Sequence, residues 1–130
     1  MFTLPTVMIN FKTYTQASGK NAEKLATLCE KVSEETGESV SCCVQTADIH
    51  RCTAETKIPV LSQHIDIEDA GGHTGKVHVK SVEENGATGS LINHSEDRVP
   101  LDTIEKAVNI LDEKDMVSVV CAKDAKEART

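Results

Sequence analysis

The chain has 130 residues, room for a single domain (1–130) and not for two. It is 38% hydrophobic and 27% charged, a balance that suits a soluble globular fold, and with one Tyr, two Phe and no Trp its core has to be built from Val, Ile, Leu, Ala and Cys. Fourteen basic residues against 21 acidic ones leave a net charge of −7, which argues against a nucleic-acid backbone or an anionic membrane surface as partner.

No run approaches the ~18 apolar residues of a membrane span. The opening Met1-Phe2-Thr3-Leu4-Pro5 has neither a basic segment nor enough apolar length for a signal peptide, so the expected compartment is the cytoplasm. Five cysteines (Cys29, Cys42, Cys43, Cys52 and Cys121) fit that compartment: an odd count with an adjacent pair is a poor disulfide framework. They read as small hydrophobes of a reduced protein. His73 and His78 are five apart, which suits neither a helix face nor a strand face, so no metal and no cofactor is expected.

Taken in chain order, five short apolar runs alternate with helical or polar stretches. The first strand is expected over 6–10 (Thr6-Val7-Met8-Ile9-Asn10). A helix follows, its stripe formed by Ala22, Leu25, Ala26, Cys29 and Val32 at the 3.6-residue period, with Gly37 as a C-terminal stop. Further strands are expected over 40–45, 58–63, 89–93 and 117–121, each rich in β-branched residues and Cys and short enough to be buried on both faces. Shorter helices fit 47–56 and 79–85, the latter ended by Gly86. A longer one opens at Pro100 with Leu101, Ile104, Val108 and Leu111 as its stripe, and residues 123–129 begin a fifth. This alternation predicts an α/β fold of successive βα units on a parallel sheet. The stretch 64–77 has no usable period, and ordered loops of that length tend to be functional or interfacial.

In parallel β/α proteins ligands gather beyond the carboxyl ends of the strands. The residues closing the runs are Asn10-Phe11-Lys12, Gln45, Gln63-His64, Asn93-His94-Ser95-Glu96 and Cys121. Asn and Gln at such places also serve simply to satisfy turn backbone. Lys12 brings a cation to the rim of an apolar core, where nothing structural requires one. His94 is expected at the start of a helix, where the dipole favours a neutral ring. Lys12 and His94 are therefore expected to converge on one pocket.

Ile9-Asn10-Phe11-Lys12-Thr13-Tyr14 together with Asn93-His94-Ser95-Glu96 resembles the triosephosphate isomerase family, its archaeal branch in particular. Ile58-Pro59-Val60, Gln63-His64-Ile65-Asp66, Gly72-His73-Thr74-Gly75 and Glu84-Asn85-Gly86-Ala87-Thr88-Gly89 agree with it in order, from residue 7 to about 121. The resemblance implies the TIM (β/α)8 barrel, here as a partial barrel of its first five strands and four to five helices. It implies interconversion of dihydroxyacetone phosphate and glyceraldehyde 3-phosphate through an enediolate, in glycolysis and gluconeogenesis. By position, Asn10, Phe11 and Lys12 would contact substrate, His94 would act as electrophile, and Glu96, beside Ser95, would hold Lys12 by ion pairing. Thr74 and Gly75 match the loop that inserts into a neighbouring subunit, so a homo-oligomer, dimer or tetramer, is implied.

A barrel of this kind takes about 250 residues, and the family's catalytic Glu and phosphate-binding N–H groups lie beyond its fifth strand. The chain thus matches the amino-terminal part of such an enzyme, without the catalytic base. Asp97 stands where archaeal relatives usually carry Asn. Two readings are open: an isomerase inactive in this form, and a non-catalytic half-barrel that binds or assembles through its open sheet edges.

Overall fold

The structure, a computed structural model, describes residues 1–130. Strands β1 (Val7–Asn10), β2 (Val40–Val44), β3 (Val60–Ser62), β4 (Gly89–Ile92) and β5 (Val117–Val120) form one sheet in sequence order, and every pair is parallel. Helices α1 (Lys20–Thr36), α2 (Ile49–Glu55), α3 (Val79–Glu84) and α4 (Leu101–Glu113) lie between or after these strands, and α5 (Ala125–Ala128) follows β5. The register sets Ile9 opposite Cys42, Cys43 opposite Leu61, Leu61 opposite Gly89 and Leu91 opposite Val119.

Successive strand residues point to opposite faces, and the two faces carry different cores. On one side, Val40, Cys42, Val44, Val60 and Ile92 pack with Ala22, Ala26, Cys29, Ile49, Cys52, Val82, Ala107 and Leu111 from the helices. On the other, Cys43, Leu61 and Leu91 pack with Phe2, Met8, Val117 and Val119, and no helical residue joins them. A sheet clad on one face, with apolar side chains gathered on the other, is the arrangement of a barrel wall rather than of a doubly wound layer. No helix is long and apolar enough to cross a membrane.

Several sequence expectations need correction. β1 and β5 are not buried on both faces: Val7, Ile9 and Val120 are exposed, because these strands form the two free edges of the sheet. For the same reason Val32 and Leu28 of α1 are exposed beside β1, leaving Ala22, Ala26 and Cys29 as the buried stripe. Leu101 is exposed too, and Ala107 takes its place in the buried face of α4. Pro100 caps α4 from outside with extended backbone instead of opening it. β3 is shorter than expected, beginning only after Pro59, which has no N–H to give to a ladder. Gly37 does end α1, at φ 75° with its N–H on the Ser33 carbonyl.

The cysteines are unpaired, and all but Cys121 are buried. Burial pushes the thiol of Cys43 up to about 12 and that of Cys52 up to about 11. Thiolate, not thiol, reacts. In the native chain Cys121 is therefore expected to react first with a disulfide reagent at pH 8, and the other four only on unfolding, as counted by released chromophore.

Gly89 is fixed by close approach. A Cβ there would lie 2.0 Å from the Val117 carbonyl oxygen across the β4–β5 pair. Gly89→Ala is expected to destabilise by about 1–3 kcal/mol, read as a lower urea midpoint with an unchanged slope.

Candidate active site

The β1 ladder runs one residue past the strand, where the Phe11 N–H donates to the Cys43 carbonyl at 2.9 Å. The Phe11 ring is buried in the helix-side core, so this residue anchors the strand end while its neighbours turn outward. Lys12 then takes φ 49°, a left-handed conformation uncommon for a residue with a Cβ. Two side chains hold it there. Asn10 Oδ1 accepts the Lys12 N–H at 3.0 Å, and Gln63 Nε2, from the end of β3, donates to the Lys12 carbonyl at 2.9 Å and to Asn10 Oδ1 at 3.3 Å.

At the end of β4, Asn93 is buried with φ 63°. Its Nδ2 donates to the Cys121 carbonyl at 2.9 Å, and its Oδ1 accepts the Val99 N–H at 3.0 Å. The following residues do not start a helix, contrary to expectation. They make one turn closed by the Asp97 N–H on the His94 carbonyl at 2.8 Å, and α4 begins only at Leu101. That turn is sufficient to aim the Glu96 backbone N–H at His94 Nδ1, 3.1 Å away. Nδ1 is thereby an acceptor, so the proton of the neutral ring sits on Nε2. Glu96 Oε2 also lies 3.4 Å from Nδ1, but the backbone donor is the better-directed partner.

Lys12 and Glu96, 84 residues apart in sequence, meet at 3.1 Å from Nζ to Oε1. The hydrogen bond to Glu96, and then its charge, raise the Lys12 pKa, keeping a fixed cation at the rim. Asn10, Lys12, Gln63, His64, His94 and Glu96 line one cleft of about 340 Å³, with Thr13, Tyr14, Leu91 and Asp97 completing it. Phe11 and Ser95 do not line it; Ser95 is exposed on the turn. Thr74 and Gly75 are exposed at the tip of the 64–77 loop, away from the cleft. The roots of that loop are clasped by Asp66, whose N–H donates to the Val77 carbonyl at 2.9 Å while its Oδ2 accepts the Val77 N–H at 2.7 Å. No three His, Cys, Asp or Glu side chains come together as a metal site would require.

The structure thus brings together Asn10, Lys12, His94 and Glu96, leaves Thr74 and Gly75 apart, and adds Gln63, His64 and Asp97. Gln63 and His64 end a strand run in the sequence, but their partners lie on other strands, and no local pattern reveals them.

Fold and site together define an open β/α barrel wall whose polar groups stand at the carboxyl ends of its strands. The triosephosphate isomerase family model matches residues 5–130, and the chain belongs to that family. It is 48% identical over 120 residues to the triosephosphate isomerase of Methanothermus fervidus, a match covering 92% of this chain and 54% of that protein. With the triosephosphate isomerase of Methanobacterium bryantii the identity is 50% over 120 residues, covering 92% and 53%. The chain therefore spans about half the length of the curated relatives it matches. The solved triosephosphate isomerase of Bartonella henselae superposes with a TM-score of 0.75 at 20% identity, covering 96% of this chain and 54% of that one, which shows the shared barrel fold.

Burial alone would raise the Asp66 carboxyl, but the Val77 N–H and the His64 ring outweigh it and hold the group below its ordinary value. Such a carboxylate stabilises above its unfolded pKa of about 3.9 and loses that contribution as pH falls through the lower folded value. Hydrogen-exchange protection of the Val77 amide is expected to be flat above about pH 5 and to fall below about pH 3.9, whereas Asp66→Ala loses it at every pH.

Proposed function

We propose that this chain carries the charge-stabilising half of a triosephosphate isomerase site, and that these 130 residues by themselves do not turn over substrate. The reaction interconverts dihydroxyacetone phosphate and D-glyceraldehyde 3-phosphate, in glycolysis and gluconeogenesis, by moving a proton between adjacent carbons through an enediolate. The observation that carries the reading is the His94–Glu96–Lys12 arrangement. With Nδ1 occupied by the Glu96 N–H, His94 offers Nε2–H to the oxygen that gains charge, and a donor aimed at developing charge is the largest single aid an enzyme gives such a step. Lys12 adds a cation for the anionic substrate, with Asn10 beside it in the cleft.

A base for the carbon proton is lacking among these groups. The Glu96 carboxylate is paired with Lys12 Nζ, and Asp97 lies 3.2 Å from the His64 ring. Neither is free to remove a proton from carbon. The family resemblance implies a base and a phosphate anchor beyond the fifth strand, and this chain spans about half the length of the curated relatives it matches. A cytoplasmic enzyme with no cofactor and no metal fits this chemistry, which needs only acids, bases and dipoles. The exposed Thr74–Gly75 tip suits insertion into a neighbouring copy, in a homo-oligomer, dimer or tetramer. The second reading, a non-catalytic half-barrel that assembles with another chain, is favoured by one observation: both sheet edges are open and display Val7, Ile9 and Val120.

A coupled assay on the purified chain, alone and with a separately expressed carboxyl-terminal fragment of a related isomerase, tests both. Turnover is expected only in the mixture, and His94→Ala is expected to lower it by ~10²-fold or more. Turnover by the chain alone, lost in His94→Ala, would overturn the missing-base argument. Association with the fragment and no turnover supports the second reading.

A further inference from the structure

A side chain outside the cleft reaches both ends of the turn that carries His94. Glu127 is the third residue of α5, a helix of a single turn. One oxygen of its carboxylate serves its own backbone. Oε2 accepts the Lys123 N–H at 3.2 Å while Asp124 Oδ1 accepts the Glu127 N–H at 2.8 Å, a reciprocal arrangement akin to a capping box. The other oxygen is left for residues far away in sequence. Oε1 accepts a charge-assisted hydrogen bond from Arg98 Nη2, and a longer one from Asn93 Nδ2 at 3.4 Å.

Asn93 and Arg98 flank residues 94–97. The base of this segment is closed by Asn93, whose Oδ1 accepts the Val99 N–H and whose Nδ2 also donates to the Cys121 carbonyl. Glu127 therefore meets the start and the end of the turn from an element 29 to 34 residues away. The Arg98 bond carries most of the hold, because a bond between ionised partners is roughly twice as strong as a neutral one. Arg98 makes no other ion pair, and the two side chains are 42% and 23% exposed. Burial alone would raise the Glu127 carboxyl, but the Lys123 N–H and Arg98 outweigh it and hold the group below its ordinary value. A one-turn helix does not persist by propensity, so α5 and the turn hold each other in place.

We propose that Glu127 is a positioning residue for His94: through Arg98 and Asn93 it clamps the base of the 93–99 segment, and so sets the direction in which the imidazole is presented to the cleft. Glu127 does not line that cleft, so it acts through the turn and touches no substrate. The role of His94 rests on the isomerase reading, whereas the clamp is read from amides in the chain alone.

The test compares the parent chain with Glu127→Ala, Glu127→Gln, Arg98→Ala and the double alanine variant. Hydrogen exchange and ¹⁵N spectra follow the Asn93 side-chain amide and the Val99 and Glu96 backbone amides. The Cys42 amide, bonded to the Pro59 carbonyl at 3.0 Å inside the sheet, reports global opening. Relative to Cys42, exchange at Asn93 and Val99 is expected to be about tenfold faster or more in Glu127→Ala, as loss of a bond to a charged group implies. Arg98→Ala is expected to do the same, and the double variant to add nothing further. Glu127→Gln, which keeps an acceptor but no charge, falls between. The Glu96 amide, which donates to His94 Nδ1, shifts in every variant. In the coupled assay with the carboxyl-terminal fragment, Glu127→Ala is expected to lower kcat by ~10-fold or more with KM within about twofold, the mark of lost orientation. Unchanged exchange at Asn93 and Val99, additive effects of the two alanine variants, or changes confined to residues 123–130 would overturn the clamp. A higher KM with kcat intact would overturn the positioning role. A parent mixture without turnover would count against the isomerase reading alone, and the exchange data would still decide the clamp.

Discussion

Parallel pairing places the carboxyl end of every strand on the same edge of the sheet, and the candidate site depends on that constraint. Lys12 and Glu96 are separated by 84 residues, yet their side chains meet because both follow strands whose carboxyl ends lie on that edge. The end of β2 ties the rim together. The Cys43 carbonyl accepts the Phe11 N–H, which carries the ladder far enough for Lys12 to be presented above the core. Reversing the direction of β1 or of β4 alone would send one of these groups to the opposite edge.

The rim is also where the backbone is least relaxed. Lys12 and Asn93 both sit at positive φ without being glycine, at a cost of order 1–3 kcal/mol each. Each is offset by bonds that span strands: Lys12 by Asn10 and Gln63, Asn93 by the Cys121 carbonyl and the Val99 N–H. The backbone on which the Lys12 side chain stands, and that of the residue before His94, are thus fixed by bonds between strand ends. The His94 tautomer follows from a single backbone N–H, one that a short turn supplies as well as a helix would.

The open edges are the counterpart of the half-length match. β1 and β5 carry exposed Val and Ile side chains, and α1 shows Leu28 and Val32 beside β1. Long apolar edges invite pairing with another chain. β1 both forms one of these edges and ends at the cleft that Asn10 and Lys12 line.

Much of this was legible in the residues. Apolar runs of strand length, separated by 3.6-residue stripes, determined the parallel β/α class, because burial of both strand faces and of one helix face leaves a pattern within a dozen residues. The same local logic put Lys12 and His94 at strand ends, and the Asn-Phe-Lys and Asn-His-Ser-Glu segments pointed to the family. Tertiary structure alone decided the rest. Only the open sheet exposes Val7, Val32 and Leu101, since their burial depends on whether another element lies beyond them. Gln63 holding Lys12, and His64 lying between Asp66 and Asp97, are contacts between strand ends that no periodicity encodes. A side chain's neighbours along the chain set its local conformation, whereas its partners at the rim are set by sheet register and strand order, which exist only once the chain has folded.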